Sequence, residues 1–517
     1  MKRTEKLTFK PYEFDQGMLF PERLDAFIDE KHVVRTVERL LSGVAIEKLV
    51  VHYKGGGASC YHPAMMLKVL VYAYTQRLYS SRRIAKALRE NLYFMWLAAG
   101  NMPDFRTVNR FRCAMTETIQ SVFQEVVLFL HKENYIRFED YFLDGTKLES
   151  VAGKYTYVWK KSVEKNLVKL TDSVRDLFRR IDAENDAEDE IYGDRDLPER
   201  GEDSEITEEK IAEKIKELNK ALEKAPEDRE TRQAVKTLQE NYLPRLRKCK
   251  EQLLTLGDRN SFSKTDPDAT FMRMKEDVMR NGQLKPAYNI QIGTEGQFVL
   301  GYSIHQNPGD TLTLIPHCDW FSGAFNRLPG RIIADAGYGS EENYEYLLKH
   351  GVDAVVKYNT FRFEKTKKFR ENPFRKENMP FDSKKDEFTC PAGKPLRFAG
   401  METFQSQSGF QSKVREYRCK DCSGCPLKEK CFPTEGSRSV QVRPRLDELR
   451  VLARNRLDSE TGITLRKRRS VEVESVFGHI KQCRGFRRFL LRGIKKVGVE
   501  WGLLMMAHNA LKMAAAR

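Results

Sequence analysis

From Val163 to Leu253 the chain carries apolar stripes on highly charged sequence, and these stripes constrain its architecture more than any other feature. Val163, Leu167, Leu170, Val174, Leu177 and Ile181 recur at alternating steps of four and three. Ile211, Ile215, Leu218 and Leu222 do the same, and Val235, Leu238, Leu246 and Leu253 follow less strictly. That spacing places one apolar seam on each helix and leaves the other faces to water. The reading is an antiparallel helical insertion. Between the first two stripes, residues 182–209 hold fourteen Asp or Glu against two Arg, with Gly193, Pro198 and Gly201. With so few apolar residues this tip is expected to be disordered.

Strand patterns stand on either side of the insertion. Residues 138–146 read as a short strand ending at Asp144. After the insertion, Ala287–Ile292 and Phe298–Ile304 form a hairpin pattern across Gly-Thr-Glu-Gly-Gln. A helix over Thr311–Phe321, a buried strand Arg331–Ala334 ending at Asp335, a helix Glu341–His350 and a strand Val352–Tyr358 follow. This order describes an α/β fold, a mixed sheet with flanking helices. Residues 1–140 read as helical. Met65–Leu78 has helical apolar spacing, Ser80 and Ser81 are candidate caps for a helix through Ile84, Ala85 and Leu88, and a further helix starts near Thr107 and carries Arg110 and Arg112. Short helices with arginines near their starts suit a DNA groove. Residues 360–450 read as basic and irregular. Helix resumes at Leu465, with Val473, Val476, Phe477 and Ile480 on one face, and the segment around Trp501–Met513 reads as a packed helix.

Composition narrows the function classes. The 517 residues, 40% of them apolar, suffice for two or three domains with cores of their own. The net charge is +16, so outside the acidic tip the chain carries +28. A body this basic points to a polyanion partner. No run of 18 apolar residues reads as a membrane span, and Met-Lys-Arg-Thr-Glu-Lys leads into no apolar signal core, so a cytoplasmic protein is expected.

Five of the ten cysteines cluster, as Cys419-x2-Cys422-x2-Cys425-x5-Cys431 with Cys390 upstream. Without a secretion signal such a cluster reads as metal binding. Four of the five thiolates suit a structural zinc ion, three at two-residue gaps suit an iron–sulfur cluster, and reduced thiols without metal are the remaining reading.

Asp144 and Asp335 share a setting, each after an apolar strand and before a glycine-containing turn. Ligands gather beyond the carboxyl ends of strands in such sheets, and aspartates at neighbouring strand ends can share a Mg2+ or Mn2+ ion. Glu474 is the candidate third carboxylate. It lies beside the apolar face of its helix, and Lys481, seven residues on, is expected to point the same way. Glu472 is the rival ligand on another face. The residues alone reach a metal-dependent phosphoryl-transfer site.

Phe-Leu-Asp-Gly-Thr-Lys at 142–147, Ala-Asp-Ala-Gly-Tyr-Gly at 334–339 and Val-Glu-Val-Glu-Ser-Val-Phe-Gly-His-Ile-Lys at 471–481 resemble the three catalytic blocks of DDE insertion-sequence transposases, closest to the group numbered eleven-eighty-two. Asp-Pro-Asp-Ala-Thr at 266–270, Gly-Phe-Arg-Arg-Phe-Leu-Leu-Arg-Gly at 485–493 and the helical segment around Tyr61–Arg112 are similar to that group too.

The resemblance implies an RNase H-like catalytic fold with metal ligands Asp144, Asp335 and Glu474. Lys481 matches the family lysine, seven residues past the Glu. The family often has an Arg four residues before the Glu. Here Ser470 stands there and Arg469 one residue earlier. Lys481 and Arg469 become DNA-phosphate contacts. A metal-activated water would cut at a transposon end, and the released 3′-hydroxyl would attack target DNA.

The implied organisation is a DNA-binding domain over 1–137, a catalytic core over 138–157 and 258–360, the helical insertion over 158–257, a Cys-rich insertion over 361–450 and a catalytic helix region over 451–517. Transposon ends and target DNA are the expected partners, with a homo-oligomer on the ends and association with the nucleoid. A catalytically inactive end-binding protein and a nuclease without strand transfer are the competing readings. The intact acidic positions favour the transposase over the inactive binder.

Overall fold

The computed structural model describes residues 23–50, 60–153, 155–192, 206–224, 226–274 and 283–516. The chain divides by packing into two compact units, residues 1–114 with 503–517, and residues 115–502. No helix among the described residues is long and apolar enough to cross a membrane.

The first unit is helical. Pro63 opens the helix Pro63–Thr75, where a missing N–H costs nothing, and Met66, Leu67, Leu70, Val71 and Tyr74 bury it on nearly every side. Ser80 holds the N-cap position of Ser81–Glu90, although its hydroxyl makes no capping bond. The helix carrying Arg110 starts at Phe105, because the Asp104 carboxylate accepts the Thr107 N–H at 2.7 Å. Arg112 departs from the DNA-groove expectation. It is buried, and its guanidinium donates to the Tyr79 carbonyl at 2.8 Å and to Asn109 Oδ1 at 2.9 Å. Arg82, Arg83, Lys86 and Arg89 on one helix, with Arg106 and Arg110 on the other, stay exposed.

The strands of the second unit are β1 Asp140–Glu149, β2 Tyr157–Trp159, β3 Ser261–Ser263, β4 Thr270–Arg273, β5 Leu284–Glu295, β6 Phe298–His305, β7 Arg331–Ala334, β8 Asp353–Val356, β9 Phe381–Asp382, β10 Glu387–Thr389, β11 Pro395–Gln405, β12 Gln411–Cys419 and β13 Ser439–Val442. The larger sheet runs β4-β5-β1-β7-β8, with β6 also on β5. β1 is antiparallel to β5 and parallel to β7, and β7 is parallel to β8. This mixed sheet fits an RNase H-like domain. The hairpin turn is shorter than the spacing suggested, only Gly296 and Gln297, with φ of 59° and 65°. Two left-handed residues match the twist of the flanking strands, so pairing continues to Glu295. Behind β1, the Tyr141 hydroxyl meets His317 Nε2 at 2.7 Å and Ser303 meets His317 Nδ1 at 2.8 Å. Burial pushes the His317 imidazole down to about 3, so it packs as a neutral ring.

The stripes lie on helices, although Val163 and Leu253 pack in a separate small cluster with Val158, Leu256 and Phe262. Lys160–Tyr192, Glu208–Lys224, Arg229–Thr237 and Leu243–Leu256 are helical, and Leu170, Val174, Ile211, Ile215, Leu218, Leu238 and Leu246 share one core. The acidic stretch differs from expectation at both ends: Ile206 is buried in that core and Glu208 and Glu209 begin the next helix. Helix continues to Tyr192, because Ala and Glu are good helix formers and no breaker occurs before Gly193. Residues 193–205 of that stretch lie outside the described residues. The supposedly irregular region 360–450 is corrected too. It holds an antiparallel sheet, β13-β12-β11-β10-β9, on a small core of Met379, Leu396, Tyr417, Cys419 and Val440. Its longest strand is exposed along most of its length, Phe398, Met401 and Phe404 included, so its apolar residues follow no one-face period.

Two of the family-like strings prove to be a clasp. Asp266 is fully buried and accepts from Tyr288 Oη at 2.9 Å, from the Gly493 N–H at 3.0 Å and from the Ser150 hydroxyl. Asp268 accepts the Ile494 N–H at 2.8 Å, where the helix Ile494–Ala515 begins. The segment before that helix runs beside the end of β1, with the Phe489 N–H on the Glu149 carbonyl at 2.9 Å. Removing the Asp266 carboxylate strands several buried donors, each costing about 1–3 kcal/mol. Asp266→Ala is therefore expected to destabilise the protein by about 3 kcal/mol or more. Urea unfolding measures this, and an unshifted midpoint would contradict the clasp.

Candidate active site

Asp144 lies in the middle of β1, not at a strand end as expected. β5 pairs with β1 as far as Glu149, whereas pairing with β7 is confined to residues 140–142 of β1. Asp144 therefore faces the place where β7 has run out. Asp335 is the first residue beyond β7, and continuing the register Phe142↔Ile333 by two residues brings it beside Asp144. Asp335 caps the turn Ala336–Tyr338, accepting the Gly337 N–H at 2.8 Å.

The third carboxylate arrives on a helix of uneven pitch. Glu460–Arg469 is α-helical, Ser470–Glu474 is a π turn, Ser475–Gly478 returns to α, and His479–Cys483 is a second π turn. A π turn bonds residues five apart instead of four. Arg469 and Glu474, five apart, thus come together on one side, and Arg469 Nη1 donates to Glu474 Oε1 at 2.7 Å. The extra residue before the Glu is absorbed by the wide turn. By the same geometry Glu474 and Lys481 do not keep the plain α-helical phase assumed for them, and Lys481 sits half-buried in the second π turn.

Arg469 ties the three blocks together. Its Nη2 stands 2.7 Å from Asp144 Oδ1 and 3.8 Å from Asp335 Oδ2, while Nη1 holds Glu474. The arginine side chain is 7% exposed and Asp144 12%, against 38% for Asp335 and 52% for Glu474. The site is thus closed at Asp144 and open to solvent at Glu474. One cation among three carboxylates leaves these groups with a formal deficit of two positive charges.

Glu472 is placed elsewhere. It accepts from Arg468 at 2.9 Å and from the Gln297 N–H at 2.8 Å, pinning the β5–β6 turn to the helix.

Two neighbours were missed by sequence reading. Asp310 accepts from Asn289 Nδ2 at 2.8 Å and Gln291 Nε2 at 3.1 Å. A Cβ on Gly145 would stand 2.7 Å from Asp310 Oδ1, and one on Gly337 would stand 3.1 Å from Asp335 Oδ1 and 3.5 Å from Asp310 Oδ2. Gly145, directly after Asp144, thus leaves room that this further carboxylate uses, a signal hidden in the Asp-Gly string. Burial, then the negative field of Asp310, Asp144 and Asp335, keeps the Tyr338 phenol neutral. Lys357, just past β8, is buried. Desolvation, followed by the nearby Arg362 and Arg469 charges, lowers its ammonium from the usual lysine range.

The five clustered cysteines line one cavity of about 20 Å³. Cys390 Sγ accepts the Lys394 N–H at 3.3 Å and Cys422 Sγ the Arg438 N–H at 3.4 Å. Burial opposes the Cys422 thiolate, but the Arg438 N–H and the Cys419 thiol outweigh it and hold this group below the usual thiol range. Among the described residues, no group of three or more His, Cys, Asp or Glu is spaced as a metal site. At the carboxylates, the Arg469 guanidinium contacts all three acids. All-oxygen donors suit a hard cation such as Mg2+, and thiols with backbone N–H donors suit zinc.

No match was found among curated proteins. Residues 22–114 match the family described as a transposase domain, DUF772, and residues 389–514 match that described as a transposase DDE domain. The second match spans the cysteine cluster, Arg469, Glu474 and Lys481, while Asp144 and Asp335 precede it. Two transposase-domain matches in one chain, with a mixed sheet that fits a DDE domain, support an insertion-sequence DDE transposase.

Proposed function

We propose that this chain cuts transposon ends and joins them to target DNA, with Asp144, Asp335 and Glu474 as its metal ligands. The observation that carries the reading is their convergence on one guanidinium, although they are spread over 330 residues of sequence and three different elements. A Mg2+ or Mn2+ ion held there would activate the attacking water or 3′-hydroxyl and stabilise the leaving oxygen in an in-line displacement. The protein's part is positioning. β5 holds Asp144 from one side, the Gly337 N–H orients Asp335, and half-exposed Glu474 leaves the site open to solvent. Lys481 and Arg469 are the proposed phosphate contacts. The exposed arginines and lysine of Ser81–Glu90 and Phe105–Ala114 form the proposed DNA-binding face of an N-terminal domain, acting on paired ends as a homo-oligomer. Nothing favours an inactive binder.

The cysteine cluster is proposed as a structural zinc site drawing four ligands from Cys390, Cys419, Cys422, Cys425 and Cys431. Support comes from their shared cavity and from the two backbone N–H donors on sulfur.

Incubating the protein with Mg2+ or Mn2+ and a donor bearing its native ends tests the main reading. Asp144→Asn, Asp335→Asn and Glu474→Gln are each expected to lower cleavage by at least about 10³-fold while DNA binding survives. Glu472→Gln should retain cleavage and lose some stability. Wild-type cleavage by Glu474→Gln, beside an inactive Glu472→Gln, would move the third ligand to Glu472. For the cluster, protein purified without chelator should hold about one zinc ion per chain, lost in Cys422→Ser. Bound iron with visible absorbance, or no metal, would reject zinc.

A further inference from the structure

We infer that Arg469 is the built-in counter-ion of the three carboxylates, and that metal loads by displacing its guanidinium from between them. This rests on the metal-ligand reading above and adds a competition that the reading itself does not require.

Charge comes first. Asp144, Asp335 and Glu474 would repel one another across so small a space with no cation present, and Arg469 is the group that touches all three. A divalent ion supplies the second positive charge that a guanidinium lacks.

The second observation is the quality of the arginine's own bonding. A guanidinium has five N–H donors, and a buried one normally finds acceptors for them. Arg469 Nε and Nη2 are shielded from solvent, yet neither makes a hydrogen bond. The 2.7 Å approach of Nη2 to Asp144 is an ion pair off the N–H direction, and the aligned bond is the one from Nη1 to Glu474. The guanidinium is held by charge more than by aligned hydrogen bonds, so a divalent cation competes with it for the same carboxylates.

The third observation is the exit. Glu474, its hydrogen-bonded partner, is the most exposed of the three carboxylates, so the solvent side lies where the arginine already points. The two residues stand at the ends of the same π turn and meet through their side chains alone, so their separation does not require the helix to unwind. Arg469 is on this account a positioning residue that keeps the empty ligand set assembled.

Mn2+ binding to the full chain, measured by electron paramagnetic resonance, tests the inference alongside melting in chelator and in Mn2+. Arg469→Gln should melt below wild type in chelator and bind Mn2+ about tenfold tighter or more, because a competing state has been removed. Its melting temperature should rise further on adding Mn2+ than that of wild type. Arg469→Lys, which keeps the charge but not the fork, should fall between the two. Asp144→Asn should lose the site. Arg469→Gln binding no tighter than wild type, with Asp144→Asn still losing the site, would overturn the counter-ion and leave the metal ligands standing. Absence of Mn2+ binding in every protein, wild type included, would reject both. Should the Gln variant not fold, the Lys variant decides, and Mn2+ affinity equal to or weaker than wild type overturns the inference.

Discussion

A single buried guanidinium organises a charged interior of this molecule. Arg469 reaches a mid-strand aspartate, an aspartate beyond the next strand and a glutamate on its own helix. An unpaired charge at 7% exposure would be costly, and so would three facing carboxylates. Each makes the other tolerable. The sheet and the helix each supply half of the arrangement, and the ion pairs hold them to one geometry.

Local irregularities make that arrangement possible. The π turn over Ser470–Glu474 adds one residue to the turn and so brings Arg469, instead of Ser470, against Glu474. β7 stops at Ala334, which opens the flank of β1 at Asp144. The Gly296–Gln297 turn lets the hairpin reach the helix, where its Gln297 N–H is received by Glu472. Two glutamates two residues apart thus serve different ends, one facing the aspartates and the other fastening the helix to the sheet.

Much of this was legible in the sequence because it is written in hydrophobic period. The heptad-like stripes, the hairpin, the strand before Asp335 and the helices after it all bury a regular face, and each appears close to its expected place. What escaped has other causes. The sheet of β9–β13 has little apolar alternation to read. A π turn depends on one extra residue and leaves no compositional mark. Arg112 looked like a DNA contact because burial by internal hydrogen bonds cannot be told from an exposed arginine by type alone. Asp310 lay in a loop of Asn, Pro and Gly with no catalytic spacing around it, and only the fold carries it to Gly145 and Gly337. Asp266 and Asp268 were noticed as part of a string, but their work is structural.

On the proposed competition, one site holds either the Arg469 guanidinium or a divalent cation among the same carboxylates. Anomalous diffraction from Mn2+-soaked crystals of the full chain tests it most directly. The account predicts a manganese peak bounded by Asp144, Asp335 and Glu474, with the Arg469 side chain turned out toward solvent. A guanidinium still seated among the three carboxylates, with manganese bound only elsewhere, would contradict it.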